Sequence, residues 1–450
     1  MRRLQQLARV LTGAALLWAV CGTSARASDQ IPAPPQDHPI ALVGGTVHTV
    51  SGGDISRGTV LFDRGVIKAI GQDIPLPPGT EKIDITGLHV YPGMIALNTT
   101  LGLVEIQAVR ATVDYSELGD INPNVRAESA LNPDSELLPV ARWNGITLAQ
   151  IVPRGGLISG LSALIMLDGW TWQDMTLKAP TGLHVRWPSA GGRRYFFGPP
   201  PSRRADQEKR RLERVEKIKR TFRRARAYML AKEAEMKKGV PYHETDVRLE
   251  AMIPALKREI PVFVTANGLT EIEEAVAWAA AENLRMVLVG GRDAWRVPGL
   301  LKEKNIPVVV TGTHTLPARQ WEPYDAPFTL PAKLYKAGIR FCIAGTGNAS
   351  AEGNLPYHAA TAAAFGLPRS EALRAVTLYP AQILGVANRV GSLEVGKDAT
   401  LIVTTGSPLE VTSNVKMEFI QGRKIDLTSR HTQLYAKYKI RLERELSGKK

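Results

Sequence analysis

Cysteine is nearly missing from this sequence: of 450 residues only Cys21 and Cys342 are cysteines. Cys21 falls in an N-terminal stretch that reads as a cleaved leader. The mature chain then holds one thiol, so no internal disulfide can form and the fold must stand on its apolar core. A chain this long can bury such a core, in a large domain plus a smaller one. Long apolar runs are missing too. Residues 10–20 are uncharged and mostly apolar, but too few to span a bilayer. Arg2, Arg3 and Arg9 lie before or beside that run, and Ala25-Arg26-Ala27 follows it. That is the form of an export signal over residues 1–27, cut ahead of Ser28, and a bacterial periplasm is the expected destination.

A general excess of one charge is also missing. The formal net charge is +14, and the leader, with four arginines and no acidic residue, leaves +10 for the mature chain. Residues 203–238 hold fifteen Lys or Arg against six Asp or Glu, a local net of +9. The remainder is close to neutral, which excludes a general nucleic-acid-binding surface. There is no Gly-x-Ser-x-Gly elbow for a serine nucleophile. Gly345-Thr346-Gly347 is not followed by Gly-Lys-Ser/Thr, so it is no phosphate loop. Cys342 sits in an apolar strand and reads as a small core residue.

What is present is alternation. A linker, Ile31-Pro32-Ala33-Pro34-Pro35, leads into short β-type runs over 41–50, 59–62, 66–70, 82–85 and 88–91, separated by turn residues. The middle of the chain alternates strand and helix. Strands are expected over 260–265, 285–289, 306–311 and 340–344, with helices over 270–282 and 331–337. Repeated βα units imply a parallel sheet, most simply a barrel. Residues from about 155 to 250 depart from that rhythm. A long basic helix is expected over 204–238, with Leu212, Val215, Ile218, Phe222, Ala225 and Met229 on one apolar face. β-type runs return over 400–404 and 415–420, and a charged helix closes the chain near 433–446.

Two motifs about three hundred residues apart carry a resemblance. Gly44-Gly45-Thr46-Val47, Asp63-Arg64-Gly65-Val66-Ile67 and the stretch from Ile85 through Pro92-Gly93-Met94-Ile95 resemble the opening of imidazolonepropionase-like and dihydroorotase-like members of the amidohydrolase superfamily. Downstream, Ala372 to Thr377, Pro380-Ala381, Leu384-Gly385 and Gly391-Ser392-Leu393-Glu394-Val395-Gly396-Lys397-Asp398-Ala399 resemble that family's closing motif. The resemblance implies an α/β fold, a (β/α)8 TIM barrel with a flanking β-sandwich built from both chain ends. The boundaries it implies follow the leader (1–27) and linker (28–38). They are sandwich over 39–90, barrel over 91–388 with the insertion at 155–250, sandwich again over 389–426, and a helical tail over 427–450.

The resemblance also implies one or two divalent metals at the C-terminal ends of the barrel strands, held by histidine and carboxylate, which generate hydroxide at neutral pH. Those positions carry other residues here. Asn98 and Thr100 stand where two histidines are usual after the first strand, and Thr265 and Gly290 where the fifth and sixth strands end in histidine. Gly347 follows Thr346 where an aspartate is usual. The eight histidines, His38, His48, His89, His184, His243, His314, His358 and His431, include no two within four residues of each other, so neither a strand clamp nor a helical pair can form. His314 and His358 alone are placed near the mouth.

The expectation is an exported barrel with a degenerate metal site that binds a small molecule without catalysis or without metal, and takes no cofactor. The alternative is a hydrolase of non-peptide C–N bonds through a rebuilt site, with a divalent metal such as zinc. Whether the chain is an enzyme stays open. Candidate ligand-binding residues are Glu105, Arg110, Asp114, Arg126, Arg142, His314 and His358. The first five lie in the polar segment after the first strand, where Asp114 and Glu117 form a candidate acid–base pair. The arginines offer bidentate hydrogen bonds to a carboxylate or phosphate. A small-molecule ligand and a peripheral contact of the basic helix with an anionic envelope surface are the expected partners.

Overall fold

The computed structural model describes residues 30–189, 201–235 and 241–447. The export signal and Cys21 lie outside the described residues, as do residues 236–238 of the expected basic helix. From Pro32 onward the chain forms one unit.

In chain order the strands are β1 (Ile40–His48), β2 (Asp54–Asp63), β3 (Val66–Gly71), β4 (Glu81–Asp84) and β5 (His89–Pro92). Then come β6 (Met94–Thr99), β7 (Ile146–Ile151), β8 (Ile158–Met166), β9 (Thr176–Arg186), β10 (Val262–Ala266), β11 (Met286–Gly290), β12 (Val308–Thr311) and β13 (Phe341–Ala344). Last are β14 (Leu401–Thr404), β15 (Val415–Ile420) and β16 (Arg423–Lys424). β6 to β13 make a single eight-stranded sheet in sequence order, whose two end strands, β13 and β6, lie side by side, so the sheet is a nearly closed barrel. Its interior follows from the two-residue period of a strand. Leu97, Leu148, Leu164, Phe263, Val289 and Cys342, one from each of six strands, are buried in one cluster. The residues between them face outward into a second, larger core shared with the surrounding helices.

One departure from the expected (β/α)8 pattern shapes the site. β7, β8 and β9 form an antiparallel meander, while every other neighbouring pair in the barrel is parallel. Only residues 152–157 join β7 to β8, including Gly155 and Gly156 at φ of 105° and 58°. A parallel return needs a crossover of a dozen or more residues, so a link this short can only fold back. Residues 158–166 and 176–186, read from sequence as an insertion outside the barrel, are therefore two of its walls. The insertion proper is the long helix Pro201–Glu235.

That helix buries Val215, Ile218, Phe222 and Ala225, and Phe222 meets the edge of Trp278 at 4.9 Å between ring centres. Leu212, expected on this face, is 50% exposed. Arg211 takes its place in the stripe and pairs with Glu274 at 2.7 Å and Glu208 at 2.8 Å. Stepping 211, 215, 218, 222, 225 keeps the three-and-four period, so an ion-paired arginine begins the face and the leucine falls off it.

The second sheet joins both chain ends in the order β16-β15-β14-β5-β1-β2-β3, with β4 alongside β1. β1 is shared along its length, pairing with β4 through residues 40–43 and with β5 through Thr46 and Val47. Strands from both ends of the chain thus lie in one hydrogen-bonded sheet rather than the two of a sandwich. Barrel and sheet are tied by charge. Asp168, just past β8, accepts from Arg142 at 2.8 Å and from Arg423 of β16 at 2.9 Å. Arg142 is thus not at the barrel mouth. It ends a short helix ahead of β7, at the N-terminal end of the parallel strands, where it also reaches the Leu167 carbonyl at 2.9 Å.

Candidate functional site at the barrel mouth

The tips of β6, β7 and β13 come together around one arginine. Asn98, the last residue but one of β6, has φ of 56°, a left-handed conformation that asparagine tolerates. The turn presents the Asn98 carbonyl to the Arg154 guanidinium at 3.0 Å. Arg154 stands three residues past β7, and its own amide donates to the Tyr115 carbonyl at 2.6 Å. Gly347, three residues past β13, has φ of 75°, and a Cβ there would lie 2.1 Å from Arg154 Nη2. The guanidinium fills the space that a side chain at 347 would take. Thr100 is buried and its hydroxyl approaches the Gly347 carbonyl at 3.4 Å.

Two more buried titratable groups face this arginine. Glu352 is fully buried, and its carboxylate packs so closely on Gly345 that a Cβ there would come within 2.7 Å. Burial pushes its pKa up to about 7, against the pull of Thr99, Arg154 and the Gly345 amide toward the ionised form. His184, on β9, stacks on Phe263 at 4.9 Å, and burial, then the charge of Arg154, hold its pKa down to about 3. Burial lowers the Arg154 pKa as well, while Glu352 and Tyr115 oppose that shift. Among the described residues neither His184 Nε2 nor Arg154 Nε has a hydrogen-bond partner, although both are buried atoms. A buried polar atom left so costs about 1–3 kcal/mol, and native proteins keep such atoms mainly where function uses them.

Above the cluster is a cavity of about 100 Å3 lined by Thr100, Glu105, Tyr115, Arg154, Gly347 and Ser350 among others. Below it the barrel interior is polar and satisfied. Gln150 donates to Ser162 at 3.1 Å and Thr181 at 3.4 Å, and accepts from the Asn98 amide at 3.3 Å.

The residues singled out from sequence are scattered relative to this site. Glu105 lines the cavity, with its pKa raised by burial. Arg110 turns back onto the Val113 carbonyl at 2.6 Å, and Asp114 and Glu117 are exposed. Arg126 pairs with the buried Glu128 at 2.7 Å. Arg142 lies at the other end of the barrel. His314 and His358 meet at 4.2 Å between ring centres, although 44 residues separate them in the chain. His358 is buried and its Nδ1 accepts from the His314 amide at 3.3 Å. Burial, then His314, lower its pKa to about 4. The pair lines neither the Arg154 cavity nor a larger hollow at β11 and β12. Thr265 pairs in β10 with Arg186 and Val289. Gly290 faces that larger hollow, and a Cβ there would meet the Asn267 amide at 2.5 Å.

Sequence reasoning missed Arg154, His184 and Glu352. Arg154 precedes a glycine pair, and Glu352 follows the last barrel strand by a few residues, so both had loop positions that favour function. His184 was hidden because β9 was not recognised as a wall.

A model of the amidohydrolase family matches residues 185–425, more than half of the chain. The chain belongs to the amidohydrolase family. Amidohydrolase tasK of Hapsidospora irregularis is 21% identical over 387 residues, 81% of this chain but only 39% of that protein. The chain therefore spans about two fifths of the length of this curated relative. An amidohydrolase of Thermotoga maritima superposes with a TM-score of 0.76 at 27% identity, covering 86% of this chain and 99% of that one. A zinc-bound adenosine deaminase of Xanthomonas campestris gives 0.50 at 17% identity, covering 91% and 99%.

Membership corrects one expectation. The family is one of metal-dependent enzymes, and a solved neighbour holds zinc, so a divalent metal is the group that this fold brings with it, and the expectation of no cofactor is overturned. The side chains at the strand tips of this chain fit that group poorly. Among the described residues no three His, Cys, Asp or Glu come together in a way that could hold a metal. Arg154 places a guanidinium against Gly347, and a fixed cation repels a second one at short range.

Proposed function

We propose that this amidohydrolase-family barrel binds a small molecule that presents an oxyanion, a carboxylate or the oxygen of an acyl group, to Arg154. The observation that carries the reading is the cluster itself: a guanidinium pinned over Gly347, with a buried carboxyl and a buried imidazole beside it, and with Arg154 Nε and His184 Nε2 lacking a hydrogen-bond partner among the described residues. A planar guanidinium is suited to two parallel hydrogen bonds to a carboxylate. Glu352, titrating near neutrality, supplies an acceptor or, when protonated, a donor to a neighbouring ligand atom. The site residues Thr100, Glu105 and Gly347 belong to this reading.

Isothermal titration of the full chain with acetate, acylated amino acids and dipeptides tests it, each run with chelator and again with added zinc. At least one carboxylate should bind, and Arg154→Met should weaken it about tenfold or more, the loss of about 1.4 kcal/mol or more that a charge-assisted bond implies. No binding across the series in either condition, or equal binding by Arg154→Met, would sink the proposal.

A second reading is hydrolysis of C–N bonds other than peptide bonds. What favours it is the pKa of Glu352 near 7, where a general base or acid works best at neutral pH. A panel of lactams, hydantoins and acylated amino acids should then show turnover that rises through about pH 7 and is lost in Glu352→Gln. Turnover unaffected by that change would remove Glu352 from the chemistry.

A further inference from the structure

Farther round the same rim, at the tips of β11 and β12, a hollow of about 350 Å3 opens beneath the loop that joins β12 to the next helix. Its lining shares no residue with that of the Arg154 cavity, so the two are separate hollows. Trp295, Trp321 and Leu316 line it and are 44%, 69% and 90% exposed. Three large apolar side chains left in water around one concavity mark a surface that gains by being covered.

The charge around it is specific. Asp293 is buried and gripped by both guanidinium ends of Arg319, one of them at 2.9 Å, and the same arginine holds Glu322 at 2.7 Å. Two cations remain. Lys333 makes no ion pair among the described residues, and its ammonium lies over the Trp295 ring at 4.6 Å. Among the described residues Arg292 comes no nearer to a carboxylate than 3.9 Å, to Asp293, and its buried Nε has no hydrogen bond. Three cations against two anions leave a surplus of one positive charge beside an aromatic wall. A neutral apolar guest would leave that surplus charge uncompensated, and a cationic one would be repelled.

We propose that this hollow is a binding site for aromatic monocarboxylates, the ring set against Trp295 and Trp321 and the carboxylate met by Arg292 and Lys333. The probe is 3-phenylpropionate, titrated calorimetrically into the full chain beside the neutral 3-phenylpropanol and the ringless propionate. Expected is saturable binding of the aromatic acid, about tenfold or more tighter than either control. Arg292→Met with Lys333→Met should abolish that preference, and Trp321→Ala should weaken the acid. The titration is repeated on Arg154→Met, where binding that persists belongs to this hollow, so failure here is distinguishable from failure of the Arg154 proposal. Circular dichroism confirms that each variant is folded. Equal binding of acid and alcohol, no saturable binding at millimolar acid, or loss of binding in Arg154→Met would each overturn the proposal.

Discussion

At the scale of single residues the mouth is a case of side chains exchanging space. Gly347 has no side chain, and Arg154 occupies the place one would take. Gly347→Ala forces a choice between the left-handed backbone, worth about 1–2 kcal/mol against an L residue, and displacement of the guanidinium. Its cost in denaturant unfolding should be the larger in the wild-type background. In an Arg154→Ala background it should fall to the backbone strain alone, a non-additivity that a double-mutant cycle reads directly. Strict additivity would mean that the two groups do not compete. Glu352 gives a pH prediction. Its folded pKa is raised from 4.5 to about 7, so the folded state binds the proton more tightly than the unfolded chain. The stability this contributes is fully present below about pH 4.5 and is lost as pH rises through about 7, a change on the order of 3 kcal/mol. His184 and His358, with lowered values, act oppositely, losing stability as pH falls below about 6.5. The stability of wild type relative to Glu352→Gln isolates the first effect and should fall from pH 4.5 to pH 7, as the wild type alone loses the contribution; a flat difference would contradict the burial argument. Little of this was legible in the sequence. Asn98, Thr100 and Gly347 could be placed by motif, but the arginine that fills the gap comes from a strand end 193 residues before Gly347 in the chain, and only the closing of the barrel brings the two together.

At the scale of elements, periodicity reads well where one face is apolar. Residues 415–420 read as a strand and form one, and β10 to β13 fall within two residues of their expected bounds. The reading fails at β8 and β9. Residues 158–166 are buried throughout, and a run buried on both faces has no alternation to reveal it. The glycine pair that turns β7 back into β8 reads, on sequence, as the start of an insertion. The long helix tests how much of its stripe matters. Phe222→Ala removes a fully buried ring packed on Trp278 and should cost about 3–5 kcal/mol. Leu212→Ala, on the exposed side, should stay within about 0.5 kcal/mol. Comparable losses in thermal unfolding of the two variants would show that the helix docks by another face.

At the scale of the whole molecule, the family's plan was visible from the two motifs near the chain ends, because the first supplies strands of the sheet beside the barrel and the second leads into β14 of the same sheet. The coupling of that sheet to the barrel was not visible, since it rests on Arg142, Asp168 and Arg423, far apart in sequence. Asp168 is the anion both arginines share, and removing one partner of a buried ion pair costs about 3–5 kcal/mol, so Asp168→Ala should lower the unfolding midpoint strongly. Glu418 is buried nearby, and burial raises its pKa well above the ordinary value. Burial favours its protonated form, which an amide resembles, so Glu418→Gln should cost no more than about 1 kcal/mol. The converse ranking would place the essential charge on Glu418. The central claim, that the barrel mouth meets its ligand through Arg154, is tested most directly by a crystal structure of the full chain soaked with a carboxylate that binds in titration. Expected is carboxylate density in the cavity beside Gly347, with both oxygens on the Arg154 guanidinium. A guanidinium turned away to solvent, or density elsewhere that leaves Arg154 bare, would contradict it.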